Sequence, residues 1–380
     1  MGDRGSAMAF EKAEFQARVG RIQQRMRARG ADALIVDIGE FMAYFCGYEV
    51  SLNMYRALVV PASGEPVMIL RELDEAPYLE LSWLSEHVTF RDWDDPVAIV
   101  ADFLRRKGFA ESTIAVDLQS YALTVARHDA FKALLPKARF IDMSDELMRS
   151  TLVKSAAEIA YQRKAAGIVD TVMRETIEWA REGISERDVQ AFVSAGFFKH
   201  GADHGLVGPI TAGTGENFLH GLAHNRALKR GDILHLELVP KYRGYTSRLM
   251  RSTVLGAPTG EQKATAAKLA DLQDRQFAAI RPGATGCEID AICRQGVIDA
   301  GLRTVYNNVT GYTLGFYPAS TVRSSNFYRA FLPNADWQFE AGMVFHAYVS
   351  AQGLAFSETI LVTETGCERL TQMERKLFSK

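Results

Sequence analysis

The stretch from Gly231 to Gly256, GDILHLELVPKYRGYTSRLMRSTVLG, decides how this sequence is interpreted. Side chains alternate along its apolar run, so His235 and Glu237 share one face of a predicted strand and the leucines between them face the other way. A carboxylate in a buried strand is costly unless it is paired. Arg248, on the next predicted strand, is the expected partner. The sequence leaves two interpretations of Glu237 open, a buried ion pair and a reactive carboxylate that faces a pocket.

Three further segments follow in order, namely Thr310–Pro318 (TGYTLGFYP), Gly342–Tyr348 (GMVFHAY) and Ser357–Gly366 (SETILVTETG). Together with the first stretch they resemble the pita-bread fold of methionine aminopeptidase, the Xaa-Pro peptidases and creatinase. The metal-dependent members carry two aspartates, one histidine and two glutamates in these segments. In this chain the five positions fall, in order, on Glu237, Arg248, Tyr312, Tyr348 and Glu358.

These replacements predict a site without metal and without any other cofactor. The guanidinium of Arg248 is a permanent cation that has N–H donors and no lone pair to offer a metal. Tyrosines stand at two more positions, and only Glu358 keeps its residue type. The resemblance therefore implies the metal-independent branch of the family. The segments around Tyr312 and His346 resemble ectoine hydrolase more than creatinase.

Bulk composition is that of an ordinary globular protein. The chain has 380 residues, of which 47% are hydrophobic and 24% charged, enough for two domains with full cores. A net charge of −2 gives no reason to expect nucleic acid or an anionic membrane as a partner. The sequence shows no transmembrane stretch and no signal-peptide pattern. Its four cysteines lack metal-clip spacing, so we expect reduced thiols and a cytoplasmic protein.

The pattern of elements predicts an α/β (α+β) protein of two domains. Short apolar strands alternate with helices up to about residue 142, which favours a small α/β domain. A long helical periodicity follows the junction, and strands and turns dominate after Gly231. The resemblance identifies residues 8–150 as a creatinase-type N-terminal domain. It identifies residues 151–380 as the pita-bread catalytic domain, with a curved, mostly antiparallel sheet flanked by helices.

His220 is the first candidate catalytic residue. It lies eleven residues before the Gly231-Asp232 pair, with Asn225-Arg226 between them, which resembles the position of the catalytic histidine of creatinase. Histidine is the natural proton shuttle near neutral pH. His224, four residues further on, is a candidate for binding substrate. The sequence also leaves open that it is a partner of His220 or an exposed loop residue.

The remaining candidates in this half follow from the resemblance. Glu237 and Glu358 are predicted to be catalytic carboxylates, with Glu237 acting as a nucleophile or holding charge. The predicted substrate-binding residues are Arg248, Tyr312, His346 and Tyr348. Tyrosine side chains can both form hydrogen bonds with a substrate and stack on a flat π-system.

Two arginines of the first half are further candidates for binding substrate. Arg56 ends the segment from Cys46, which resembles the creatinase loop that grips the substrate carboxylate in the partner subunit's site. A guanidinium fork suits a carboxylate, although a solvated surface arginine remains the alternative. Arg71, in Arg71-Glu72-Leu73-Asp74, resembles an Arg-x-x-Asp of ectoine hydrolase or forms a structural ion pair.

The sequence therefore predicts a metal-independent hydrolase of a C–N bond in a small, polar, zwitterionic compound, an ectoine-like cyclic amidine or a guanidino acid. Two alternatives stay open, a non-catalytic binding protein on the same fold and a metal-dependent Xaa-Pro peptidase. A lyase acting on a related zwitterion is a third. The resemblance implies a homodimer that binds a small-molecule substrate.

Overall fold

The structure, a computed structural model, describes residues 8–48, 51, 53–215, 218–318, 320–321 and 323–380. The chain divides between Thr151 and Leu152 into two compact units. Each unit has its own hydrophobic core. The part of the chain that the structure describes contains no helix with the length and apolar character needed to cross a membrane.

The first unit is an α/β domain around one mixed sheet. The strand order is β4-β3-β2-β1-β5-β6, with β1, β5 and β6 parallel to one another and β2 antiparallel to both of its neighbours. A 3-10 turn, Glu72–Asp74, follows the third strand. The elements are α1 (Lys12–Arg29), β1 (Ala33–Val36), α2 (Gly39–Cys46), β2 (Ala57–Pro61), β3 (Val67–Arg71), α3 (Glu75–Leu81), β4 (His87–Phe90), α4 (Pro96–Arg106), β5 (Thr113–Val116), α5 (Val125–Leu134), β6 (Arg139–Asp142) and α6 (Ser144–Ser150).

The second unit packs helices against two sheets. One sheet has the order β17-β11-β8-β7 and the other β13-β12-β14-β15-β16, and β9 and β10 form a small hairpin. The helices are α7 (Ala156–Trp179), α8 (Glu186–Lys199), α9 (Gly260–Ala279) and α10 (Gly286–Asp299). The strands are β7 (Ile210–Gly213), β8 (Ile233–Leu238), β9 (Lys241–Tyr242), β10 (Tyr245–Thr246), β11 (Leu249–Val254), β12 (Gly311–Thr313), β13 (Ala330–Phe331), β14 (Val344–Ala351), β15 (Leu354–Val362), β16 (Cys367–Arg369) and β17 (Phe378–Ser379).

Local sequence signals set the ends of these helices. Helix α1 ends at Gly30, whose φ of 66° lies in the left-handed region that glycine adopts without steric cost. Helix α8 begins with the capping box that its sequence predicts, in which Ser185 and Asp188 bond each other's backbone N–H groups. The same device, with Ser or Thr and a Glu or Gln three residues on, starts α7, α9 and α10.

Two antiparallel pairs bring the predicted site residues together. Strands β8 and β11 pair with Glu237 opposite Met250, and β14 and β15 pair with Tyr348 opposite Ser357. Side chains from β15 tie the two sheets to each other, because Ser357 Oγ accepts from the backbone N–H of Met250 at 2.7 Å. Thr359 Oγ1 accepts from the backbone N–H of Arg248 at 2.8 Å in the same way.

Lys154 is a buried cation whose ionisation should be visible in the stability of the protein. Its Nζ donates to Leu152 O at 2.8 Å, and burial lowers the pKa of its ammonium group to about 8. In an unfolded chain the pKa of a lysine is ~10.4. Between these two values the unfolded chain binds more protons than the folded one, so this group makes the free energy of unfolding rise with pH. We expect Lys154→Met to remove a rise of at most about 1.4 kcal/mol per pH unit, measured by urea denaturation above pH 8.

Lys132→Met on α5, an exposed position, is the matched control and should leave that pH dependence intact. An unchanged pH dependence in the Lys154 variant would show that the buried amine is not the group responsible.

Candidate functional site

Five predicted site residues of the second unit line a cavity of about 570 Å³, namely His220, Glu237, Arg248, Tyr312 and Tyr348. Its walls come from β8, β11, β12, β14 and β15 and from the connecting segments that carry His220, Arg303, Phe327 and Gln352. The residues that line it are Leu219, His220, His235, Glu237, Arg248, Met250, Arg303, Asn308, Tyr312, Phe327, Tyr348, Ser350, Ala351, Gln352, Gly353 and Ala355.

A buried ion pair between Glu237 and Arg248 forms the polar centre of this cavity. Arg248 lies immediately before β11, and its Nε and Nη2 both contact Oε1 of Glu237. Burial has the largest single effect and raises the pKa of the Glu237 carboxyl, but the Arg248 guanidinium, with smaller contributions from His235 and His346, more than offsets it and lowers the pKa to about 2. His235 Nε2 lies 3.9 Å from Oε2 of Glu237, too far for a hydrogen bond. Glu237 is therefore an ionised carboxylate with a permanent counter-ion on one oxygen.

Aromatic rings form one wall of the cavity. The Tyr312 ring lies 4.2 Å from Phe327, 5.0 Å from His346 and 6.2 Å from Tyr348, measured between centroids. His346 stacks on Tyr348 at 5.3 Å with an interplanar angle of 19°. Burial raises the pKa of both phenols above the ordinary value and lowers the pKa of His346 well below it. These side chains are therefore neutral at neutral pH. Tyr312 and Tyr348 line the cavity, whereas His346 is fully buried and is not on the lining, so the prediction that His346 binds substrate is corrected.

His220 lies on the cavity lining, as its sequence position predicts, and it is solvent-exposed. It follows a turn in which the Gly221 N–H donates to Phe218 O at 3.0 Å. The neighbouring residues Glu216 and Asn217 lie outside the described part of the chain. An exposed imidazole at the mouth of a cavity can exchange protons with water and still reach a bound molecule.

His224 does not share the cavity lining with His220. Its side chain is 62% exposed, and its Nδ1 lies 3.1 Å from Oε2 of the fully buried Glu186. Glu186 also accepts from the backbone N–H groups of Ala212 and His224. The structure thus places His224 where it anchors the His220 loop to the start of α8, and the prediction that it lines the substrate pocket is corrected.

Glu358 requires a second correction, because it lies on the opposite face of β15 from the cavity. Strand pairing sets Tyr348 opposite Ser357 and Ala347 opposite Glu358, so the position that faces Tyr348 belongs to Ser357. Glu358 is fully buried and bonds Arg251 Nη2 at 2.8 Å and Thr371 Oγ1. Side chains alternate along a strand, so a shift of one residue in the predicted match moves the carboxylate to the other face. Among the described residues, Glu358 is a structural ion-pair partner and does not line the cavity.

The two candidate arginines of the first unit occupy different environments. Arg56 is buried, and its Nη1 donates to Met54 O at 3.3 Å, so it is not the solvated surface arginine of the alternative interpretation. Arg71 forms a bidentate surface pair with Asp92. Parts of the predicted loop before Arg56, namely Glu49, Val50 and Leu52, lie outside the described residues.

Sequence reasoning missed several lining residues because they belong to turns and loops. Phe327 is the clearest, since its φ of 56° is unusual for an aromatic residue and its side chain is 52% exposed. The backbone N–H of Phe327 donates to Ser325 Oγ at 3.1 Å, and Ser325 Oγ donates to Thr313 O at 2.8 Å. Serine and asparagine residues favour a turn at this place in the sequence. They do not reveal which side chain the turn directs into the cavity.

Arg303, also missed by sequence reasoning, supplies a cationic group to the same cavity. Its guanidinium stacks 4.3 Å from the Tyr306 ring centroid, and its Nη2 lies 3.4 Å from Asn308 Oδ1. The cavity therefore carries a carboxylate at Glu237 and a separate guanidinium at Arg303.

Comparison with known proteins identifies the domain families of both units. Residues 160–364 match the sequence profile of metallopeptidase family M24, and residues 18–151 match that of the creatinase/prolidase N-terminal domain. The chain belongs to family M24. It is therefore a hydrolase by family, with an N-terminal domain followed by a pita-bread domain, as its sequence predicts.

Its M24 relatives include enzymes of two kinds. The ectoine hydrolase of Halomonas elongata is 24% identical over 98% of this chain and 99% of its own length. The Xaa-Pro dipeptidase of Pyrococcus horikoshii is 29% identical over 63% of this chain and 68% of its own length. The crystal structure of prolidase from Thermococcus sibiricus superposes with a TM-score of 0.84 at 23% identity, covering 96% of this chain and 99% of that one, which shows the shared fold.

The residues of this M24 site do not fit the metal that the family name implies. Arg248 occupies one oxygen of Glu237 with a permanent positive charge. The phenols of Tyr312 and Tyr348 stay protonated, because burial raises the pKa of each. Hard divalent cations require about six oxygen ligands each. Among the described residues, no three His, Cys, Asp or Glu side chains come together in a way that could hold a metal ion.

Proposed function

We propose that this M24 protein hydrolyses a C–N bond in a small, polar, zwitterionic compound, and that protein side chains take the place of metal ions. The observation that carries the proposal is the Glu237–Arg248 pair in the cavity, which puts a guanidinium at a position where the sequence resemblance implies a metal ligand in metal-dependent relatives. A cyclic amidine of the ectoine type is the first substrate class, and a guanidino acid is the second. The similarity to ectoine hydrolase supports this order.

The charges of the cavity match a zwitterion. Arg248 binds Oε1 of Glu237, which leaves Oε2 to accept an N–H from a cationic amidinium or guanidinium. Arg303, on the lining of the same cavity, offers a guanidinium fork for the substrate carboxylate. The faces of Tyr312 and Phe327 suit a flat π-system such as an amidinium.

His220 is the group that activates water in this mechanism. A carboxyl group whose pKa is about 2 is too weak a base to take a proton from water, so Glu237 holds charge. His220 accepts the proton as the water oxygen bonds to the amidine carbon. The C–N bond then breaks, and the imidazolium returns the proton to the leaving nitrogen. An amidine and water give an amide and an amine, and no oxidant or metal is needed.

The test is turnover of a substrate panel, followed by mass spectrometry with and without EDTA. The panel contains ectoine, hydroxyectoine, creatine, a cyclic amide and an Xaa-Pro dipeptide. We expect cleavage of an amidine or guanidino compound at a rate that exhaustive chelation leaves unchanged. Dipeptide cleavage that EDTA abolishes and Mn²⁺ restores would contradict the proposal and indicate a peptidase. Absence of turnover on the whole panel would favour the binding-protein alternative.

The homodimer and the cytoplasmic location remain part of this proposal. The homodimer comes from the sequence resemblance, and the cytoplasmic location comes from the expectation that the cysteines are reduced thiols. Sedimentation equilibrium tests the first, since a monomer would contradict it, and cell fractionation tests the second.

A further inference from the structure

A second, smaller cavity shares one wall with the site. Its volume is about 160 Å³, and Arg248 lines both cavities. The other polar side chains on its lining are His204, Lys241 and Ser324. The smaller cavity is thus a separate compartment in contact with the same guanidinium that holds Glu237.

His204 lines this cavity and carries a buried ring nitrogen, Nε2, that has no partner among the described residues. The Leu206 backbone N–H donates to its Nδ1 at 3.1 Å, so the neutral ring carries its proton on Nε2. That Nε2 is buried, and no described residue offers it a hydrogen-bond partner. Buried polar groups are nearly always satisfied by protein, water or a bound ion, so this N–H is available to an acceptor that enters the cavity.

The charge of the lining is positive. Arg248 Nη1 donates to Ser324 Oγ at 3.1 Å, and a guanidinium has five N–H donors, more than its bonds to Ser324 and Glu237 use. Lys241 is buried and donates to the carbonyls of Pro318 at 3.1 Å and Thr321 at 2.6 Å. The described residues that line this cavity include no carboxylate. Arg248 is the counter-ion of Glu237, so Lys241 supplies the net positive charge, and together with the remaining N–H donors of Arg248 and the unpaired N–H of His204 it favours an anion.

The rest of the lining is apolar and limits the size of that anion. Leu206, Val207 and Val239 complete the wall. Gly208 lies so close to β8 that a Cβ there would come within 2.3 Å of the Glu237 carbonyl oxygen. With a volume of about 160 Å³ and both polar and apolar walls, the cavity suits a small molecule with one charged end and a short apolar end.

We propose that this cavity is a binding site for a short-chain carboxylate anion, with its oxygens on His204 Nε2, Arg248 and Ser324 and its alkyl group against Val207 and Val239. A planar carboxylate matches the geometry of a guanidinium fork. The bound anion would share Arg248 with Glu237. It would therefore contact a residue of the larger cavity without entering that cavity. The proposal does not depend on the substrate proposed above.

Isothermal titration calorimetry on the full chain with formate, acetate and propionate tests the site, with chloride and inorganic phosphate at matched ionic strength as comparisons. We expect millimolar binding of acetate and no comparable heat from chloride or phosphate. His204→Leu removes the donor and keeps a similar volume, and it should weaken acetate binding at least about tenfold, the effect of one lost hydrogen bond of roughly 1.4 kcal/mol. His204→Gln retains an N–H and should bind acetate within a few-fold of the natural chain.

His128→Leu in the first unit is the matched control, because His128 Nε2 is also buried without a partner among the described residues but does not line this cavity. It should leave acetate binding unchanged. Equal binding of chloride and acetate, or acetate binding that His204→Leu leaves intact, would overturn the proposal. Circular dichroism of each variant in chloride establishes that it is folded, and a turnover assay is not needed for any arm.

Discussion

Arg248→Met is expected to lower the free energy of unfolding by about 3–5 kcal/mol, the cost of leaving a buried charge without its partner. Glu237 is 1% exposed, and Arg248 provides its counter-ion. Without the guanidinium, burial would raise the pKa of the Glu237 carboxyl above its ordinary value. Urea denaturation at neutral pH measures the effect. The same variant should also lose turnover, because the cavity loses the group that keeps Glu237 ionised.

The pH dependence has a defined sign. In the natural chain the folded pKa of Glu237 is about 2, below the unfolded value, so its contribution to stability is present at neutral pH and is lost as the pH falls toward 2. In the variant the folded pKa lies above the unfolded one, so stability increases as the pH falls and the proton binds. The two stability curves should therefore converge in acid.

Two further variants make this expectation specific. Adding Glu237→Gln to Arg248→Met removes the unpaired charge and should recover much of the lost stability. Arg163→Met breaks an ion pair with Glu368 in which both side chains are exposed, and it should cost no more than about 1 kcal/mol. A loss at Arg248 no larger than the loss at Arg163 would mean that the buried pair is not the electrostatic centre of the site.

His220→Ala is expected to lower kcat about 10²- to 10⁴-fold, the usual contribution of a positioned general base. The melting temperature should hardly change, because the side chain is exposed and packs into no core. KM should change much less than kcat, since the imidazole moves a proton and does not hold the substrate. Steady-state kinetics on the substrate identified in the panel measures both constants.

His200→Ala is the matched histidine control, since His200 ends α8 in a pair with Glu175 and does not line the cavity. It should leave kcat unchanged. A His220 variant that keeps kcat within twofold would assign water activation to another group and leave His220 as a loop residue.

Much of the fold could be predicted from local sequence because local physics sets it. Ala33–Val36, Ala57–Pro61 and Thr113–Val116 are short apolar runs between turn signals, a pattern that predicts strands, and they form β1, β2 and β5. The start of α8 follows from a capping box that needs only four consecutive residues. Helix α2, GEFMAYFC, was not predicted, because every one of its residues is buried and the segment has no polar face to show a helical period.

The site could be predicted only in part, because strand register is not a local property. The alternation of β8 identified Glu237, and the pair with Arg248 formed as expected. At β15 the prediction was wrong by one residue in its choice of face, because Ser357 lies opposite Tyr348 while Glu358 points to the other side and pairs with Arg251. No periodicity in β15 could show the error, because all nine of its residues are buried.

The sequence by itself determined the identity of the groups, namely an arginine and two tyrosines where relatives hold metal, a carboxylate on β8 and a histidine eleven residues before Gly231. Only the tertiary structure decided how these groups behave. It brought Arg248 within bonding distance of Glu237, removed water from both, and placed the same guanidinium on two cavities. Charge state and pairing depend on distance and burial, which arise when segments far apart in the chain pack together.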